Sequence, residues 1–86
     1  MDYTVQITIH NKQSNNTFRD LVNRKIFLDC IKQDLRTMKN PKIELGKQYI
    51  KVECDYLYTI YTILNPKEGV IAIWQRDINV INHLIR

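Results

Sequence analysis

The strongest constraint on the fold is a run of strand-forming residues that covers residues 47–75. Three segments rich in β-branched and aromatic side chains, KQYIKVE, YLYTIYTIL and GVIAIWQ, are separated by a short CD turn and by NPKEG. Proline suits the first central position of a turn and glycine can adopt a left-handed conformation, so NPKEG predicts a hairpin. The run therefore predicts three consecutive strands on which the rest of the chain packs.

A further strand is predicted near the N-terminus, where apolar and polar side chains alternate over residues 3–10. After the polar loop NKQSNN, Thr17 can cap a helix and Asp20 can complete a capping box. The apolar residues of segment 18–38 form one helical stripe: Leu21, Leu28, Ile31, Leu35 and Met38, widened by Phe18, Val22 and Phe27. The polar residues 23–25 interrupt this stripe, so one long helix and two helices joined by a kink are equal alternatives.

These patterns predict an α+β fold with the element order β-α-β-β-β-α. A small, mostly antiparallel four-stranded sheet carries one long or kinked helical segment on one face. Asp77 can cap a short C-terminal helix whose apolar side includes Ile78, Ile81 and Ile85. Because 86 residues provide one core, residues 1–86 are expected to form a single domain.

The composition limits the function only broadly. Thirteen basic and nine acidic side chains give a net charge of +4, which permits binding to a polyanion. The sequence contains no run that predicts a membrane span and no signal peptide pattern, so a cytoplasmic protein without membrane contact is expected. Cys30 and Cys54 are too few for a structural zinc site and are interpreted as free thiols, and no cofactor is expected.

Three stretches of the chain carry a resemblance to a known family: LGKQYIKV, DYLYTIYTI and VIAIWQRD. In this order they resemble the leucine-glycine and tyrosine-x-basic strand, the next strand, and the arginine-ended last strand of the RelE/ParE superfamily of bacterial toxins. The order of the predicted elements is also similar, and the resemblance covers nearly the whole chain.

The resemblance implies a toxin-type protein that acts on ribosome-bound mRNA or a related translation target, with an antitoxin as partner. Its ribonuclease branch directs a 2′-hydroxyl at the neighbouring phosphate, which requires proton transfer and cations. The matching positions make Lys51 and Arg76 the catalytic candidates. Tyr58 occupies the place of a sheet arginine and Asn82 that of a C-terminal tyrosine, so the match to the active-site pattern is incomplete.

Independently of any family, the predicted sheet combines cations with aromatic rings, a composition suited to phosphates and bases. The candidate nucleic-acid-binding residues are Lys47, Lys51, Tyr58 and Arg76. The alternative interpretation of the aromatic residues is ordinary sheet packing.

Two other functions stay open at this point. One is a non-enzymatic phage or mobile-element protein that binds and inhibits a host protein or a nucleic-acid complex. The other is a domain similar to double-stranded-RNA-binding domains, which only the order of the elements favours. The sequence does not determine the oligomeric state.

Overall fold

The computed structural model describes residues 3–64 and 75–77. Its elements in chain order are β1 (Thr4–Asn11), β2 (Asn16–Asn23), α1 (Arg24–Thr37), β3 (Lys42–Leu45), β4 (Tyr49–Glu53) and β5 (Leu57–Leu64). The strands form one five-stranded sheet in the order β2-β1-β5-β4-β3, and every neighbouring pair is antiparallel. Residues 75–77 are helical.

The predicted fold class is wrong. Residues 3–64 and 75–77 are mostly β, with five strands where the whole chain was predicted to have four, and a helix of 14 residues instead of a segment that covers 18–38. The shorter helix results from β2, a strand where a helix was predicted. All eight residues of β2 pair with β1, so a tight hairpin supplies the backbone hydrogen bonds that a helix would otherwise provide.

The turn of this hairpin explains why the chain reverses at the loop NKQSNN. The side-chain oxygen of Asn11 accepts hydrogen bonds from the backbone N–H groups of Gln13 and Ser14, at 2.9 and 3.0 Å. Asn15 has a left-handed backbone with φ 59°, which asparagine tolerates better than most residues. These local interactions favour a turn that leads directly into a second strand.

Helix α1 begins where the predicted stripe is interrupted. Asn23 is its N-cap, and the Asn23 side-chain oxygen accepts a hydrogen bond of 2.9 Å from the backbone N–H of Ile26. Thr17, the predicted cap, lies in β2, where its hydroxyl contacts His10. Both predicted versions of the helix, the long rod and the kinked pair, are therefore wrong. The helix ends at Thr37, before the Asn40–Pro41 pair.

The core lies between α1 and one face of the sheet, which we call the helix-bearing face. Phe27 is fully buried, with its ring centroid 5.2 Å from that of Tyr61 and 6.4 Å from that of Tyr3. The helix also buries Leu28 and Ile31. The main sheet residues of this core are Val5, Ile7, Ile50, Val52, Tyr61 and Ile63.

The second half of the chain agrees only in part with the predicted strands. Strands β4 and β5 lie within the predicted segments, whereas β3 occupies a stretch that was predicted as a connection. Most of GVIAIWQ, the NPKEG turn and the helix predicted after Asp77 lie outside the described residues. Gln75, predicted to end a strand, is helical. Within the described ranges, no helix combines the length and hydropathy needed to cross a membrane.

Helix α1 carries a partly buried carboxylate that contacts the sheet. Asp34 accepts a hydrogen bond from the hydroxyl of Tyr61, a side chain that is 1% exposed. Burial raises the pKa of Asp34 and outweighs the opposing effect of the Tyr61 hydrogen bond. Ionised Asp34 is therefore less favourable in the folded chain than in the unfolded chain.

We expect Asp34→Asn to raise the free energy of unfolding at pH 7, because the amide oxygen can still accept the Tyr61 hydrogen bond without a partly buried charge. A raised folded pKa means that stability falls as the pH rises above the ordinary carboxyl value of about 3.9. The higher free energy of unfolding of Asp34→Asn relative to wild type should therefore disappear in acid. Denaturant unfolding at several pH values tests this, and a less stable variant at pH 7 would contradict it.

Candidate functional site

On the sheet face opposite α1, two neighbouring rows of side chains form a surface that we call the open face. Residues directly opposite each other in antiparallel strands lie on the same face, so the register defines each row. One row crosses the sheet as Thr17, His10, Tyr58, Glu53 and Lys42. The next row consists of Arg19, Thr8, Ile60, Lys51 and Glu44.

Tyr58 is at the centre of the open face and is contacted from both flanking strands. The His10 ring of β1 stacks on it, with centroids 4.9 Å apart and an interplanar angle of 27°. The ammonium group of Lys51, on β4, lies 4.9 Å from the Tyr58 ring centroid. His10 Nδ1 is 2.9 Å from the hydroxyl oxygen of Thr17. These contacts fix a cation and an imidazole on either side of one aromatic ring.

Glu53 organises the cations beside this ring. Its carboxylate lies 2.6 Å from Lys12 Nζ and 3.7 Å from Lys51 Nζ. The hydrogen bond from Lys12 lowers the pKa of Glu53, so the side chain is ionised at neutral pH. Lys12 Nζ also donates a bond of 2.9 Å to the carbonyl oxygen of Cys54. One carboxylate thus holds two ammonium groups on this edge of the open face.

The structure brings two of the predicted site residues together. Lys51 and Tyr58 are in contact on the open face. Lys47 is exposed in the turn between β3 and β4, outside the two rows. Arg76 lies in the helical residues 75–77, where its Nε is 3.3 Å from a carboxylate oxygen of Asp77.

Asp77 links Arg76 to the helix-bearing side of the molecule. Its buried carboxylate accepts a hydrogen bond from the hydroxyl of Tyr3 and one of 2.9 Å from Arg24 Nη2. Arg24 is the first residue of α1. Arg76 is therefore anchored in a cluster around the start of the helix, whereas Lys51 belongs to the open face.

The sequence did not identify His10, Lys12 and Glu53 as residues of this site. None of these three residues was among the predicted site residues. The alternation in residues 3–10 does assign His10 to the polar face of β1. Only the pairing of β1 with β5, however, puts His10 beside Tyr58.

The thiols and acids offer no second centre within the described residues. Cys30 and Cys54 are free. Burial, followed by the charge of Asp34, raises the pKa of the Cys30 thiol, which disfavours the reactive thiolate. Residues 3–64 and 75–77 contain no group of three or more histidine, cysteine or acidic side chains arranged to hold a metal ion.

The fold and the site define a class: a small antiparallel sheet with a helix on one face and, on the other, a polar surface in which lysine and histidine contact a tyrosine ring. No protein-family model, no curated protein and no solved structure matches the chain. The resemblance to the RelE/ParE superfamily therefore stays a prediction, as do the functional roles of Lys47, Lys51, Tyr58 and Arg76.

Proposed function

We propose that the protein is a toxin-type, RNA-directed inhibitor of translation that holds ribosome-bound mRNA, or a related translation target, on the open face. The observation that carries the proposal is the contact of Lys51 and His10 with Tyr58. It combines an ammonium group for phosphate with polar aromatic edges for a nucleotide. A cytoplasmic location and an antitoxin partner belong to the same proposal.

The arrangement of the cations favours binding over cleavage. Cleavage by an attacking 2′-hydroxyl requires a proton acceptor, a proton donor and cations around one phosphate. Lys51 is paired with Glu53 on the open face, whereas Arg76 contacts Asp77 beside the start of α1. We therefore expect inhibition through occupation of the target, and Lys51 acts as a phosphate ligand.

We predict that Lys51→Gln weakens binding to a short unpaired RNA and flattens its salt dependence. Each phosphate contact to a single strand contributes about 0.7 to the slope of log affinity against log salt, so the slope should fall by about that amount. Lys25→Gln is a matched control, since Lys25 is exposed on α1, which lies on the other face. Lys51→Arg should restore the wild-type slope.

Fluorescence anisotropy at several salt concentrations provides the measurement, and a translation assay with the same variants connects it to function. If Lys51→Gln and wild type are both folded and show equal slopes, the open face does not bind the RNA. RNA fragments in the assay would indicate the nuclease activity of the family. Inhibition without RNA binding would favour the non-enzymatic alternative, a protein that binds a host protein.

A further inference from the structure

A polar cavity of about 210 Å³ opens at the end of the sheet next to the open face. It lies where β4 ends, where β3 begins and where the chain leaves β1. The residues that line it are Lys12, Asn40, Lys42, Glu53, Cys54 and Asp55. Drug-sized ligands occupy cavities of about 300–1,000 Å³, so this one suits a smaller group such as one planar base.

The cavity is lined by polar side chains that are paired with each other and by exposed ones that are not. Lys12 and Glu53 are paired with each other, with Lys12 Nζ 2.6 Å from Glu53 Oε2. Within the described part of the chain, no hydrogen bond or ion pair engages the side chains of Asn40, Lys42 or Asp55. A ligand would therefore meet an available amide, an available ammonium group and an available carboxylate.

These three groups match the edge of a guanine. Guanine offers the acceptors O6 and N7, to which a lysine ammonium binds, and an exocyclic amino group that donates hydrogen bonds. The carboxylate of Asp55 can accept from that amino group, Lys42 can donate to O6 or N7, and the Asn40 amide can do either. Neither an apolar ligand nor a bare anion would satisfy this mixture of donor and acceptor groups.

We infer that the cavity binds one unpaired guanine of the RNA that lies on the open face. The inference rests on the proposed function and adds a base preference to it. Glu53 connects the two sites, because its carboxylate lines the cavity and also lies 3.7 Å from Lys51 Nζ. A strand whose phosphate contacts Lys51 thus has a neighbouring nucleotide at the cavity. Sequence-specific recognition of RNA generally uses such unstacked bases.

The experiment compares the binding of a short polyuridine RNA with that of the same RNA with one central guanine. The wild-type protein should prefer the guanine-containing RNA about tenfold, the discrimination typical of one good base contact. Replacement of the guanine by inosine, which lacks the exocyclic amino group, should remove most of the preference. Asp55→Asn should remove it as well, and Lys42→Gln should reduce it.

Asp29→Asn is the matched control, because Asp29 is exposed on α1 and its replacement changes the net charge equally. The control should retain the full preference for guanine. Equal binding of both RNAs by the wild type, or an undiminished preference in Asp55→Asn, would overturn the guanine site and leave RNA binding intact. Failure of both RNAs to bind at low salt would instead overturn the proposed function itself.

Discussion

Replacement of Asp77 by alanine should lower the free energy of unfolding by about 3 kcal/mol. The Asp77 side chain is fully buried and accepts hydrogen bonds from Tyr3, from Arg24 and from Arg76. Loss of the carboxylate leaves the Tyr3 hydroxyl and the Arg24 guanidinium without their partner. Removal of one partner of a buried ion pair typically costs about 3–5 kcal/mol, and Arg24 is one-third exposed and can rehydrate, so the low end applies.

Denaturant unfolding of wild type and Asp77→Ala measures this difference. Asp29→Ala removes a carboxylate that is exposed on α1, and its effect should stay within about 0.5 kcal/mol. Asp77→Asn keeps the shape of the side chain but not its charge, so its loss of unfolding free energy should lie between those of Asp77→Ala and Asp29→Ala. A loss in Asp77→Ala as small as that of the control would show that the cluster around Asp77 does not stabilise the fold.

The effect of Asp77 should also depend on pH. Burial, the largest single influence, opposes ionisation, but the hydrogen bonds from Arg24 and Tyr3 and the charge of Arg24 together lower the pKa of Asp77. A lowered folded pKa means that the contribution is complete above the ordinary value of about 3.9 and is lost as the pH falls through the folded value. The difference between wild type and Asp77→Asn should therefore shrink in acid. The difference between wild type and Asp34→Asn also shrinks in acid, but its sign is opposite, because ionised Asp34 destabilises the folded chain and ionised Asp77 stabilises it.

The sequence could predict those strands whose alternation reflects burial. Val5 and Ile7 are buried and their neighbours are not, so the alternation in residues 3–10 correctly indicated β1. In β2 the pattern misled, because Phe18 and Leu21 are 57% and 60% exposed and point to opposite faces of the sheet. Their helical spacing therefore did not mark a buried helical stripe, and the hairpin with β1 determined the structure instead.

The candidate site, too, could be predicted only in part from the sequence. Lys51 and Tyr58 belong to neighbouring strands joined by a short turn, so their proximity could be predicted from the sequence. The stacking of His10 on Tyr58 depends on the pairing of β1 with β5, which are distant in the sequence. Arg76 was expected to end the last strand, but its contact with Asp77 depends on where residues 75–77 lie in the fold. Sequence periodicity assigns each side chain to a face of its strand, but it does not determine which distant strands become neighbours.

Phe27→Ala should lower the free energy of unfolding by about 3–5 kcal/mol, the usual cost of deleting a buried aromatic ring. Phe27 is 0% exposed, and its ring meets the Tyr3 and Tyr61 rings edge to face at 6.4 and 5.2 Å. These contacts connect α1 to the sheet, so the variant leaves a cavity and also loses the aromatic pairs. Ile26→Ala is the matched control, because Ile26 is the preceding helix residue and is 45% exposed. Denaturant unfolding should show a large loss for Phe27→Ala and a small one for Ile26→Ala, and similar losses would contradict the packing of α1 described above.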